Sequence, residues 1–444
     1  MTTFISYHPA SGAEVERVDT LSAAELERRV QQNALAAREW RHCAFAERSG
    51  LLNRLASLLS ANRERLALTM TREMGKLVTE ALAEVDRCAR ECTYFAAHGQ
   101  AMLPLARSMT TFEPMGTVLL LTSWRFPLWQ VFRMLAPTLM AGNAVLLKLA
   151  ENLPLCAREI ASLLAEAGAP DGLVFNLPID KPQVATLIAD VRVKALAFSG
   201  NREDARRVAA LAGRQLKPIV LELDETELHV ILDDADLELA VEAALRSRFR
   251  NAGQLGHAAR GFMVTPGIAD DFVARLSARL SELQPGDPEQ GASTLGPLAT
   301  RLQRDELHLQ VQAALADGAL AVAGCELPAG EGWYYPASLL DRVQPEMEVF
   351  RRQLSGPLAC VIRVPSLEAI SGLCQELGPD GTVSIWTREL AQGEQLARRL
   401  PFGHCLVNMD PYQGKGYPSG CHPASEGRFN IKAFCHLKTL LVSI

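Results

Sequence analysis

Between Gly116 and Glu222, short apolar runs alternate with helical stretches, and this limits the fold more than any other feature of the chain. Gly116-Thr-Val-Leu-Leu-Leu-Thr122, Ala144-Val-Leu-Leu-Lys148, Leu173-Val-Phe-Asn176, Ala195-Leu-Ala-Phe198 and Pro218-Ile-Val-Leu-Glu222 each read as a buried strand. Phe132 to Met140, Leu153 to Glu166, Pro182 to Ala189 and Asn201 to Ala212 supply the helices between them. Strands apolar on both faces and joined by helices imply a parallel, doubly wound α/β sheet.

Upstream, Ser22 to about His98 reads as one long helical region, with apolar residues recurring at three and four. Downstream the alternation is less regular. Asp236 to Arg250 and Asp270 to Leu283 read as helices, Gly324 to Tyr335 as a loop, and Cys360 to Val364 and Val383 to Trp386 as strands. A chain of 444 residues suffices for two or three domains. It has no repeats and no low-complexity linker, so the two halves are expected to pack tightly.

A formal net charge of −6 gives no reason to expect nucleic acid or an anionic membrane as partner. The longest apolar stretch, Met134 to Ala150, is broken by Pro137, Gly142 and Asn143, so it is not read as a membrane span. The opening residues lack the apolar core of an export signal. The ten cysteines have no paired spacing and read as reduced thiols in a cytoplasm. Cys88 and Cys92 lie four apart on a helix, but two further ligands are missing, so no metal is expected. No G-x-G-x-x-G opens a helix, so any nucleotide must be held by another device.

Several stretches, in order, resemble the aldehyde dehydrogenase superfamily, and most closely its short succinate-semialdehyde-dehydrogenase-like branch. They are Trp124-Arg-Phe-Pro-Leu-Trp-Gln130, Ala136-Pro-Thr-Leu-Met-Ala-Gly-Asn143 with Leu147-Lys148, Phe198-Ser-Gly200, Leu221-Glu-Leu223 with Asp233-Asp-Ala-Asp236, and Asn251-Ala-Gly-Gln254. Gly356-Pro357, Trp386-Thr387, Val407-Asn408 and Ile431 to Thr439 follow. The resemblance covers essentially the whole chain. It implies a NAD-binding-type domain over 1–100 and 114–222, and a catalytic-type domain over 223–412. It also implies a β oligomerisation element over 101–113 and 430–444. A homodimer or tetramer is expected, although the stretch before Thr110 is short for the first arm of that element.

In the family a cysteine thiolate attacks the aldehyde, and the adduct passes hydride to NAD. Cysteine is suited to this because its thiolate is a strong nucleophile and a good leaving group. Here Gly256 stands at that position, two residues after Gln254. Losing such a nucleophile costs roughly 10⁶ in rate where it has been dissected. The family's oxyanion asparagine is Arg125, read either as a charged donor or as the ion-pair partner of a nearby carboxylate. The general base position keeps a glutamate, Glu222, which could instead persist as a salt-bridge partner.

Lys148 and Glu151 match the pair that holds the adenosine ribose, and Trp124 and Gly200 also persist as cofactor-site positions. The two glycines under the nicotinamide are Asp224 and Glu225, and the acids are expected to crowd the site and repel a pyrophosphate. The phosphate-turn serine is Asn201, the helix glycine is Ala205, and the ribose-holding glutamate is Gln353. The expectation is therefore no cofactor, with NAD or NADP bound only if the site survives. His257 is a new titratable group that either joins Arg125, Glu222 and Asp224 in the cleft or points away from it.

Three functions fit. One is a pseudoenzyme acting as a binding or assembly protein. Another is a repurposed non-redox enzyme taking a carbonyl or imine compound. The third is a residual semialdehyde dehydrogenase.

Overall fold

The computed structural model describes residues 2–103, 110–352, 354–379, 381–411 and 430–441. Gln353 lies outside them, as do residues 104–109 and 442–444 of the expected oligomerisation element and the last residue of the expected catalytic-type domain.

The chain opens with an antiparallel hairpin, β1 (Thr3–Tyr7) and β2 (Glu14–Asp19). The long helical region expected over Ser22 to His98 is made of four helices: α1 (Ala23–Trp40), α2 (Phe45–Ala61), α3 (Arg63–Met74) and α4 (Val78–Met102). Periodicity carried across the breaks because each helix buries the same kind of apolar stripe. What ends α3 is Gly75, left-handed at φ 77, where a Cβ would press on Pro297.

A two-stranded element follows, in which β3 (Thr110–Pro114) pairs antiparallel with a strand from the far end of the chain, Cys435–Thr439. Then comes the doubly wound sheet. Its strands are β4 (Thr117–Leu121), β5 (Ala144–Lys148), β6 (Val174–Asn176), β7 (Val193–Gly200) and β8 (Ile219–Leu223), in spatial order β6-β5-β4-β7-β8 and all parallel. Helices α5 (Trp129–Met140), α6 (Pro154–Glu166), α7 (Lys181–Ala189) and α8 (Arg202–Arg214) connect them. The chain winds outward through β5 and β6, then returns to β7 on the other side of β4. The order therefore reverses between β4 and β7, and a crevice opens beyond their carboxyl ends.

The second half is a seven-stranded sheet. Going along the chain, it contains β9 (Thr226–Ile231), β10 (Ala259–Val264), β11 (Leu320–Ala323), β12 (Ser338–Asp341), β13 (Leu358–Arg363), β14 (Gly381–Trp386) and β15 (His404–Val407). Its order is β11-β12-β13-β10-β9-β14-β15, parallel except for β11 against β12. β9 starts within three residues of the end of β8, so the chain passes from one sheet to the other through Asp224 and Glu225. Among the described residues no helix is long and apolar enough to cross a membrane, and no cluster of side chains could hold a metal ion.

Candidate active site

Glu222 lies in β8, and Asp224 follows one residue past the end of that strand. Neither is left without a cation. Asp224 Oδ1 accepts a hydrogen bond from Arg125 Nη1 at 2.5 Å, and both side chains are about nine-tenths buried. Glu222 Oε1 lies 3.4 Å from Nε of Arg133, which α5 presents from above; this pair is more buried still. The resemblance had set Arg125 near Glu222. In the structure Asp224 takes Arg125 and a second arginine takes Glu222.

Arg125 is fixed through its backbone as well. Its carbonyl oxygen accepts from Lys76 Nζ at 3.0 Å and from Asn251 Nδ2 at 3.2 Å. Lys76 is itself buried against Glu84, whose other oxygen caps the start of α5 through the N–H groups of Leu128 and Trp129, both at 2.9 Å.

Gly256 lies under the Arg125–Asp224 pair. Its carbonyl accepts from Glu225 N–H at 2.9 Å, which holds its main chain close to residues 224 and 225. A Cβ built on Gly256 falls inside contact distance of Asp224 Oδ1. The Asp224 carboxylate therefore occupies the space into which a side chain at 256 would grow. No described cysteine lines the neighbouring cavity. Cys156 and Cys325, the nearest in sequence, are packed into the apolar cores of the two halves, and burial raises both thiols.

The turn before Gly256 keeps the form that its residues Asn251-Ala-Gly-Gln254 resemble. Asn251, Ala252 and Gly253 run left-handed at φ 49, 49 and 71. Glycine is required at 253, where a Cβ would meet the carbonyl oxygen of Gly356. Gln254 closes the turn by donating to the Asn251 carbonyl at 3.1 Å and accepting from Ala299 N–H at 2.9 Å. Ala252 has no such reason to be left-handed, and an L-residue there costs about 1 kcal/mol. Ala252→Gly is therefore expected to raise stability by roughly 0.5–1 kcal/mol in a urea melt. A loss of stability would show that the Ala252 methyl packs better than its backbone is strained.

His257 is half-buried, and its pKa is pushed down to about 4 by burial and by four arginines, Arg87, Arg250, Arg133 and Arg125. It is thus neutral at pH 7 and has no proton to give as an acid. Its folded pKa lies below the ordinary 6.5, so its contribution to stability is complete above about 6.5 and drains away as pH falls toward 4. His257→Leu should lose less stability than the parent over that window, read from urea melts at each pH. Parallel curves would remove His257 as the cause.

At the other end of the crevice, Lys148 ends β5 half-buried, with Nζ 3.8 Å from Glu151 Oε1. Asn201 caps α8 by accepting from Asp204 N–H at 2.8 Å. Gly200 accepts from Asp224 N–H at 3.3 Å, and the Trp124 ring lies 5.5 Å from the Arg125 guanidinium. The end where the resemblance implies adenosine thus has a cation and a carboxylate side by side at a strand terminus, a pairing suited to ribose hydroxyls. At the nicotinamide end the expectation that both acids repel a dinucleotide needs correction, because the Asp224 charge is neutralised by Arg125.

Sequence reasoning missed Lys76, Glu80, Glu84, Arg87, Arg133 and Arg250. The first four recur at helical spacing along α4 and its lead-in. Charges repeating at that spacing within a face otherwise read as core are the signal that points to them.

The Aldehyde dehydrogenase family model matches residues 2–439, and the chain belongs to that family. It is 36% identical, over 99% of its length and 98% of the relative's, to the NAD(P)+ succinate semialdehyde dehydrogenase Sad of Escherichia coli K12. It is 31% identical, over 98% of its length and 99% of the relative's, to the NADP+ succinate-semialdehyde dehydrogenase 1 of Mycobacterium tuberculosis H37Rv. Its fold matches a succinic semialdehyde dehydrogenase from Streptococcus pyogenes, solved with NADP+ as cofactor, at a TM-score of 0.90, 26% identity and 99% coverage of each chain. These relatives overturn the expectation of a protein without cofactor. They are NAD(P)-dependent, and the family to which this chain belongs points to NAD(P) binding.

Proposed function

We propose that this chain is a dinucleotide-binding aldehyde dehydrogenase relative that acts by binding, its thiol-based hydride transfer having been withdrawn. The observation that carries this reading is the buried Arg125–Asp224 pair seated against Gly256. A thiol has no space there, and the arginine stands where the family places a neutral oxyanion donor.

The remaining groups favour this reading over a repurposed acid/base enzyme. Glu222 is tied to Arg133, and burial raises its carboxyl. His257 is held neutral by the surrounding cations. A base and an acid working as a pair need pKa values placed on either side of the working pH, with one partner protonated. Here the histidine is unprotonated at pH 7 and the carboxylate is engaged.

In this reading NAD(P) supplies a nucleotide handle. Lys148 and Glu151 hold the adenosine ribose, the start of α8 near Gly200 and Asn201 faces the phosphates, and Trp124 borders the crevice. Residues 1–100 with 114–222 carry the dinucleotide, and 223–412 carry the altered reaction centre. The element formed by 101–113 and 430–444 joins subunits into a dimer or tetramer. The free thiols support a cytoplasmic protein.

The test is a thermal melt with NAD+ or NADP+ alongside an absorbance assay with succinate semialdehyde. A dinucleotide at 100 times its Kd should add about 2.7 kcal/mol of stability. Lys148→Ala should remove most of that gain, while no reduced nucleotide accumulates in the assay. Steady NAD(P)H production by the parent protein would overturn the proposal.

A further inference from the structure

Beside the candidate site lies a small cleft, open to solvent, whose longest wall is one face of α4. That wall carries Glu80, Ala83, Glu84 and Arg87; Phe126, Trp129, Asn251 and Leu255 complete the lining with Arg250, which lies near Glu80. Most of its charges are already satisfied. Lys76 and Glu84 hold each other, and both also hold backbone groups.

Two charges are not. One oxygen of Glu80 accepts from Asn251 N–H at 2.8 Å, but its other oxygen, Oε2, is buried and has no hydrogen-bond partner. The Arg87 guanidinium stacks 3.8 Å from the Trp129 ring centre and makes no ion pair among the described residues. Arg133 repels it, and the acids around it, Glu91, Glu84 and Glu222, form no ion pair with it among the described residues. The first imbalance is costly because that oxygen is buried, whereas Arg87 is exposed and free to take an anion arriving from solvent. A carboxylate with one oxygen lacking a donor and a guanidinium lacking an ion pair thus sit on one helix face. They are seven residues apart, about 10 Å along the axis, with Ala83, Phe126 and Leu255 between them.

We infer that this cleft binds a linear ω-amino carboxylate. Its ammonium group meets Glu80, its carboxylate meets Arg87, and its methylenes lie along the apolar wall. A ligand charged at both ends satisfies both groups at once, whereas a simple anion leaves Glu80 as it is and a simple amine leaves Arg87. The inference names the ligand class for the binding role proposed above and rests on that reading.

Isothermal titration of the whole protein with 5-aminopentanoate, pentanoate and pentylamine tests it. The amino acid should bind about tenfold or more tighter than either half-charged probe, a difference of roughly 1.4 kcal/mol. Arg87→Met, at the solvent-reaching side chain, should weaken it by at least a similar factor. Glu80→Gln should abolish the preference over pentanoate while leaving pentanoate affinity unchanged; circular dichroism checks that this variant is folded. Equal affinity for pentanoate, parental affinity in Arg87→Met, or no heat at millimolar amino acid would each overturn the inference. NAD(P)H production would count against the proposed function but leave a tight amino-acid complex standing, so the two failures are distinguishable.

Discussion

Gly256→Cys alone is expected to yield no NAD(P)H from succinate semialdehyde, and a less stable protein. The new Cβ runs into Asp224 Oδ1. That oxygen is held by Arg125, whose own carbonyl is pinned by Lys76 and Asn251. Something in this chain of contacts must move, and overpacking of this kind costs about 1–3 kcal/mol. The thiol would also stand beside a carboxylate, which disfavours the thiolate it needs to become. The triple variant Gly256→Cys, Asp224→Gly, Arg125→Asn removes both the clash and the pair. Its thiol should be alkylated by iodoacetamide far faster than that of Gly256→Cys alone. Equal alkylation rates, or robust turnover by the single variant, would show that Asp224 does not block the position.

Breaking the Arg125–Asp224 pair from one side should be the most damaging single change in the site. Asp224→Ala leaves Arg125 nine-tenths buried without its carboxylate, and loss of one partner from a buried pair costs about 3–5 kcal/mol. Replacing both partners with apolar side chains, Arg125→Met with Asp224→Leu, should cost far less, because no charge is then stranded. Urea melts of the single and double variants read this difference directly. A single variant as stable as its parent would mean that water reaches Arg125 freely and that the pair is not a structural plug.

The two experiments bear on different aspects of the same arrangement. One asks whether the carboxylate excludes a side chain at 256, the other whether the pair is required for folding. A protein that fails both would have an open site with an incidental ion pair.

Much of the fold was legible because burial writes itself into composition. Ala144 to Lys148 reads as a strand and is one, and the helices at 154–166 and 202–214 fall within two residues of their sequence bounds. The strands of the second half were harder. β9, Thr226–Ile231, carries Glu227 and His229 fully buried in a central strand, so it lacks the unbroken apolar run that marked the first sheet. Those two side chains bond to each other at 2.9 Å, and Ser247 and Trp386 complete the set. Their partners are far apart in the chain, which is why local pattern could not find them.

The sequence by itself determined the family and the doubly wound sheet. These follow from motifs and periodicity, which are local and ordered along the chain. Only the tertiary structure decided which cation answers which acid. Asp224 meets Arg125, from the loop before α5, across 99 positions, and Glu222 meets Arg133 on α5 itself. Charge pairing depends on distance in space and on the exclusion of water, and neither is a property of sequence spacing. The same reason explains why Asp224 was expected to repel a dinucleotide: its charge was visible in the sequence, but the arginine that neutralises it was not recognisable as its partner until the two halves were folded together.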